Sequence, residues 1–137
     1  VFRERPDVMS VVHAHPPIST AYSICRRALK ERYLAEMVVG LGEIPVTEFA
    51  MLSTDEVPDS VKPFVHEYNA VLLSNHGALS WGPTLWSAFD RLEVVEHSAK
   101  IFYYVERIGG GVEITPEQAD ILRSSTGYYQ KLAGRRK

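Results

Sequence analysis

Residues 70–82 read AVLLSNHGALSWG, two short apolar stretches joined by a polar turn. Apolar runs of this length, bounded by turn residues, are typical of buried strands. We therefore predict a strand over Ala70–Ser74 and a return strand over Ala78–Trp81. A third apolar stretch, Val8–Val12, predicts another buried strand that leads directly into His13.

Helical segments surround these strands. Their expected ranges are Ile18–Leu29, 53–69, Thr84–Ile108 and a last helix from Thr115. Each begins at a proline or at a Ser or Thr, which favour helix N-termini, and the longest ends at three glycines. Ile44-Pro45-Val46 predicts a short strand at a sheet edge. The longest helix carries an apolar stripe at helical spacing: Ala88, Leu92, Val95, Ala99 and Phe102.

The composition argues against two classes of partner. A formal net charge of −2 gives no electrostatic footprint for nucleic acid or an anionic membrane surface. No apolar run approaches the roughly 20 residues needed to span a bilayer. The single cysteine, Cys25, excludes an internal disulfide and fits a cytoplasmic protein. We expect Cys25 to be buried as a small apolar residue.

Three histidines lie at the ends of the predicted strands. His13 and His15 are two residues apart, and such side chains share one face of a strand. His76 follows the strand Ala70–Ser74, so two neighbouring strands ending at one edge would bring three imidazoles together. Three histidines with an open position are a common catalytic zinc site. The alternative is packed or surface histidines, but Gly77 permits a close backbone approach and favours a metal site.

Other titratable residues receive structural roles. His66 is expected to face solvent, and His97 lies four residues after Glu93, the spacing of a structural contact on a helix. Glu93 and Glu96 could form a carboxylate pair. We favour an ordinary helix ion pair between Glu96 and Lys100.

Several segments together resemble the class II aldolase and adducin family. In chain order they are residues 5–17, 42–46, 71–82 and 88–99. The first and third look like the two metal-binding segments of the family, and the second is similar to its Gly-x-Ile-Pro-Val stretch. The resemblance runs from residue 1 to about residue 105, with the motifs in family order.

This resemblance implies a three-layer α/β/α domain that assembles as a homotetramer with sites near subunit boundaries. It implies zinc held by His13, His15 and His76, although imidazole also accepts manganese or cobalt. The implied activity is a metal-dependent lyase that splits a ketose 1-phosphate into dihydroxyacetone phosphate and an aldehyde. The ion in such enzymes acts as a Lewis acid on the substrate oxygens.

Some features of the family would lie outside residues 1–137, and at one position this chain has a different residue. The acid–base glutamate and the phosphate-binding loops of family aldolases would precede Val1. Val1–Glu4 also resemble the end of a helix. We therefore expect residues 1–137 to be the C-terminal part of a single domain. A leaving-group tyrosine from a neighbouring subunit maps to Leu34, which makes the adjacent Tyr33 the candidate acid; a surface tyrosine is the alternative.

Other family members remain alternatives. Pentose-phosphate 4-epimerases use an aspartate where this chain has Val38, which counts against epimerisation. The tail Tyr128-Tyr129-Gln130 nevertheless resembles the epimerase ending. The family also includes dehydratases and decarboxylases, as well as the adducins, which are interaction proteins without catalysis. Adducins lack the metal ligands, so the three histidines favour an enzyme.

The expected position of the glutamate yields a first prediction. The 137-residue chain alone should cleave ketose 1-phosphates little or not at all, because losing a positioned acid–base group costs about 10²–10⁴ in rate. A version extended upstream by roughly half a domain should be active with added zinc. Assays of both forms on L-fuculose 1-phosphate and L-ribulose 5-phosphate test this. Comparable turnover by the short form would contradict it.

Overall fold

The computed structural model describes the backbone of residues 1–133 and the side chains of residues 1–125. The elements, in chain order, are β1 (Ser10–Ala14), α1 (Pro17–Ile24), α2 (Ala35–Gly40), α3 (Glu56–Val61), a 3₁₀ turn (Lys62–Phe64), β2 (Ala70–Leu73), β3 (Gly77–Gly82), α4 (Leu85–Ile108) and α5 (Pro116–Ala133). The side chains of Tyr128-Tyr129-Gln130 lie outside the described residues. None of the described helices combines the length and the apolar character needed to cross a bilayer.

The strands form an antiparallel sheet in the order β1-β3-β2. At one edge of this sheet Ala14 pairs with Ala78, and Leu73 pairs with Gly77. β1 and β2 therefore run in the same direction and end at the same edge, as predicted. The expectation that they are neighbours is wrong, because β2 turns back immediately and its return strand, β3, occupies the place between them.

Helices cover both faces of the sheet, because successive side chains of a strand point to opposite faces. One face packs against α1 and α4, in a cluster that includes Val12, Ala14, Leu72, Ala78, Tyr22, Leu92, Val95 and Phe102. The other face packs against α3 and the 3₁₀ turn, in a cluster that includes Val11, Val71, Leu73, Trp81, Val61, Phe64 and Val65. This gives the three-layer α/β/α arrangement expected from the sequence.

The long helix α4 agrees closely with its prediction. Thr84 caps its N-terminus by accepting a hydrogen bond from the Ser87 N–H at 3.1 Å. Gly109 ends it in the left-handed conformation, with φ 113°. The residues of the predicted stripe are all buried: Ala88, Leu92, Val95, Ala99 and Phe102. This helix therefore fixes one layer of the fold against the sheet.

Helix α1 is shorter than predicted and changes the environment of Cys25. It ends at Ile24, because Arg26 takes a left-handed conformation with φ 50°. The chain then turns so that the Leu29 N–H donates to the Ile44 carbonyl at 3.0 Å. Cys25 lies on this turn and is exposed, so the prediction that it is buried is wrong.

The segments between α1 and β2 also differ from their predictions. The helix expected over residues 53–69 ends at Val61 and continues as a 3₁₀ turn, which contains Pro63, a residue without an N–H. Residues 44–46 lie beside β2, where the Leu72 N–H donates to the Pro45 carbonyl at 2.8 Å. They make isolated bridges and not a regular strand. Helix α2 was not predicted.

Candidate metal centre

β1 delivers two histidines to one edge of the sheet. His13 pairs with Leu79 near the end of β1, and His15 follows the last residue of the strand. Both side chains are exposed. Their ring centroids are 4.8 Å apart, as expected for residues that share one face of a strand.

The β2–β3 turn delivers the third histidine, His76. Its N–H donates to the Leu73 carbonyl at 3.0 Å, and Asn75 within this turn is left-handed with φ 55°. Asparagine is among the few non-glycine residues that adopt this conformation readily. The His76 ring centroid lies 4.7 Å from that of His13 and 4.9 Å from that of His15. The three rings thus form a nearly equilateral triangle.

Gly77 allows the two parts of this cluster to approach. A Cβ atom at this position would lie 2.5 Å from the Ala14 carbonyl oxygen and 2.6 Å from Cδ2 of His15. Real Cβ atoms essentially never show contacts this short. Any side chain at position 77 would therefore displace the end of β1 or the His15 ring. The close approach anticipated from the sequence is confirmed.

A hydrogen bond selects one tautomer of the neutral His13 ring. Its Nδ1 lies 2.9 Å from the Ala78 carbonyl oxygen, which can only accept, so Nδ1 is the donor and Nε2 is the nitrogen available to a metal ion. That Nε2 is 3.1 Å from Nε2 of His15. Two nitrogens bound at 2.0–2.1 Å to one tetrahedral zinc ion would be about 3.3–3.4 Å apart. The spacing therefore fits two ligands of a common ion.

The complete donor set also fits a divalent metal ion. One ring nitrogen from each of His13, His15 and His76 lies within 4.8 Å of the others. Burial, followed by the charges of His13 and His15, lowers the pKa of His76 below its usual value. A lowered pKa keeps the ring neutral, which is the form that binds metal. The cluster could therefore bind a divalent metal ion through one nitrogen of each ring.

A small recess adjoins the cluster at His76. Its lining includes the polar residues Thr47, Glu48, Ser60 and Ser74. A larger open groove follows α4 and is lined by residues such as Pro16, Phe89 and Lys100, with none of the three clustered histidines. The recess has a volume of only about 10 Å³, room for at most about one water molecule, so it adds no substrate-binding space to the cluster.

The remaining sequence candidates lie outside the triangle. The Tyr33 ring packs edge-on against Phe102, with 5.0 Å between centroids, and is half-buried. His66 is exposed, as predicted, and its Nε2 is 3.5 Å from a Glu4 carboxylate oxygen. His97 is exposed on α4.

The role of Glu96 was not predicted from the sequence. Its two carboxylate oxygens accept hydrogen bonds from the backbone N–H groups of Ile18 at 3.0 Å and Ser19 at 2.8 Å. The prediction of an ion pair with Lys100 is therefore wrong. One signal was available, because α1 begins at Pro16-Pro17 and lacks a side-chain cap of its own. The sequence could not identify the distant acceptor.

The chain is similar to known proteins over most of its length. The family described as Class II Aldolase and Adducin N-terminal domain matches residues 1–103. L-fuculose phosphate aldolase from Methanococcus vannielii is 30% identical over 105 residues, which cover 77% of this chain and 56% of the relative. A 3-oxo-tetronate 4-phosphate decarboxylase from Pectobacterium atrosepticum is 27% identical over 108 residues, covering 75% of this chain and 49% of the relative.

A solved structure of L-fuculose 1-phosphate aldolase has the same fold. It superposes with a TM-score of 0.83 at 28% identity and covers 92% of this chain and 59% of that chain. The chain spans about half the length of the curated relatives it matches. The family match includes the whole histidine cluster and most of α4. The chain therefore belongs to the class II aldolase and adducin family.

Proposed function

We propose that this chain supplies the metal centre of a zinc-dependent sugar-phosphate aldolase. The observation that carries the proposal is the triangle of His13, His15 and His76, with ring nitrogens within 4.8 Å of one another. The similarity to a relative named L-fuculose phosphate aldolase supports a ketose 1-phosphate as the substrate class. The proposed products are dihydroxyacetone phosphate and an aldehyde.

The residues of the cluster are suited to this chemistry. A divalent ion held there would polarise substrate carbonyl and hydroxyl oxygens as a Lewis acid. Three neutral imidazoles suit that role because they leave the charge of the ion intact. The Ala78 carbonyl orients the His13 ring so that its Nε2 faces Nε2 of His15.

The proton transfers of an aldolase require further groups. Within its own chain the Tyr33 ring packs on Phe102. We therefore propose that Tyr33 acts as an acid at the metal centre of a neighbouring subunit in a homotetramer. Tyr33→Phe is the suitable variant for this role, because it removes the hydroxyl and keeps the packed ring. The acid–base carboxylate is proposed to come from outside residues 1–137.

A decarboxylase is the second candidate function. The relative from Pectobacterium atrosepticum, named a 3-oxo-tetronate 4-phosphate decarboxylase, is 27% identical to this chain. Aldol cleavage and loss of CO₂ from a 3-oxo acid both break a carbon–carbon bond and leave its electron pair beside a carbonyl. Stabilising that charge with a metal ion would serve either reaction.

The products distinguish the two candidates. The test uses the upstream-extended chain with added zinc, because the 137-residue chain is expected to lack the acid–base group. We expect dihydroxyacetone phosphate to be released from L-fuculose 1-phosphate, and expect His13→Ala to abolish the release. Release of CO₂ from 3-oxo-tetronate 4-phosphate, without cleavage of the ketose phosphate, would contradict the aldolase proposal and support the decarboxylase.

Metal binding can be measured on the 137-residue chain itself. We expect about one divalent ion per chain, with zinc–nitrogen distances near 2.0–2.1 Å by X-ray absorption. His76→Ala should abolish tight binding because it removes one of three ligands. The control His97→Ala changes an exposed histidine of α4 and should leave the ion bound. Equal metal loss in both variants would mean that the ligands are assigned wrongly.

Metal affinity should depend on pH in a defined direction. Protons compete with the ion for the histidine nitrogens, and an ordinary histidine titrates near pH 6.5. The lowered pKa of His76 keeps that ligand neutral to a lower pH than an ordinary histidine. We expect constant affinity above about pH 7.5 and at least about tenfold weaker binding at pH 5. Zinc titrations at several pH values test this, and a flat profile between pH 7.5 and 5 would argue against histidine ligation.

A further inference from the structure

A carboxylate from α4 caps the helix that follows the second metal ligand. Pro16 occupies the N-cap position of α1 without a side-chain acceptor, and Pro17 has no N–H. The first N–H groups that need a partner are therefore those of Ile18 and Ser19. Glu96 binds both, one with each carboxylate oxygen, at 3.0 and 2.8 Å.

The link from this cap to His15 is short and stiff. His15 is followed directly by Pro16 and Pro17, whose rings restrict φ to about −65°. The Pro16 carbonyl accepts the first helical hydrogen bond, from the Thr20 N–H at 2.9 Å. A displacement of the first turn of α1 is therefore transmitted to the backbone of His15.

His15 depends on its backbone more than His13 does. His13 is oriented by its hydrogen bond to the Ala78 carbonyl. The His15 ring instead makes a hydrogen bond to another ring of the cluster, at Nε2 of His13. On one side the His15 ring lies against Gly77, where a Cβ would come within 2.6 Å of Cδ2. On the other side the chain enters α1. The position of this ligand is thus set by the β2–β3 turn and by the anchored helix.

We propose that Glu96 is a positioning residue for the metal centre. By holding the N–H groups of Ile18 and Ser19, it fixes the start of α1 and so the approach of His15 to the other two ligands. A negative charge at a helix N-terminus is also electrostatically favourable. The inference rests on the proposed metal site, and assigns to Glu96 a role that acts through His15 and not through contact with the ion.

The test compares Glu96→Gln and Glu96→Ala with Glu93→Gln in the 137-residue chain. Glu93 lies on the same helix three residues earlier and is exposed, so Glu93→Gln is a matched removal of charge. Glutamine at position 96 keeps the size of the side chain but offers one acceptor oxygen to two N–H groups. It therefore tests the cap with little change in packing, and remains informative if Glu96→Ala does not fold.

Two measurements separate positioning from a purely structural role. Titration with Co²⁺ alone gives the affinity and the visible spectrum of the bound ion, which reports ligand geometry. Amide hydrogen exchange of the metal-free chain reports whether Ile18 and Ser19 have lost their acceptor. In the Glu96→Gln variant we expect the amides of Ile18 and Ser19 to exchange faster than in the wild type. We also expect this variant to bind Co²⁺ about 10–100-fold more weakly, and the spectrum of the bound ion to differ at saturation. Glu93→Gln should match the wild type in all three.

The outcomes distinguish this inference from the proposed function. If the wild type binds Co²⁺ and Glu96→Gln binds it equally, with an unchanged spectrum, Glu96 is a helix cap alone and the positioning role is overturned. If the wild type protects both amides but binds no Co²⁺, the metal centre itself is wrong, and the positioning role fails with it.

Discussion

The contact between Gly77 and the end of β1 is the constraint on which the histidine cluster depends. There is room for a hydrogen atom, and not for a Cβ, between position 77 and the Ala14 carbonyl oxygen. The pairing of β3 with both other strands fixes the register on each side of this contact. His15 and His76 immediately flank the two residues in contact. Their separation is therefore determined by the backbone, before any side-chain rotamer is chosen.

Helix α4 connects the core with this site. Val95 is fully buried in the cluster that covers one face of the sheet, and the next residue, Glu96, directs its carboxylate to α1. Hydrophobic burial thus sets where α4 lies, and α4 in turn sets where α1 begins. A second set of contacts holds the other end of α1 against the same helix. The Tyr22 hydroxyl donates to the Glu106 carboxylate at 2.7 Å, and Arg27 forms an ion pair with Glu106 at 2.8 Å.

Periodicity and turn chemistry were sufficient to predict the three strands of the sheet, α4 and the three clustered histidines, because each signal is local. Contacts between distant segments decided the features that the sequence left open. The strand order follows from the turn at His76, and the end of α1 follows from the pairing of Leu29 with Ile44. Glu96 has the same spacing to Lys100 whether or not a helix N-terminus lies opposite, so its helix-capping role was not predictable. The roles of Tyr33 and of the ion remain predictions.

The wide separation of the three histidines along the chain would couple the binding of a metal ion to folding. His15 and His76 are sixty-one residues apart in sequence, and they meet because the sheet has formed. An unfolded chain can offer the His13–His15 pair at most, which binds an ion far more weakly than three ligands. By mass action, a ligand of the native state at a thousand times its dissociation constant adds about 4.1 kcal/mol to the free energy of unfolding. A chelator that removed such an ion would lower the free energy of unfolding by the same amount.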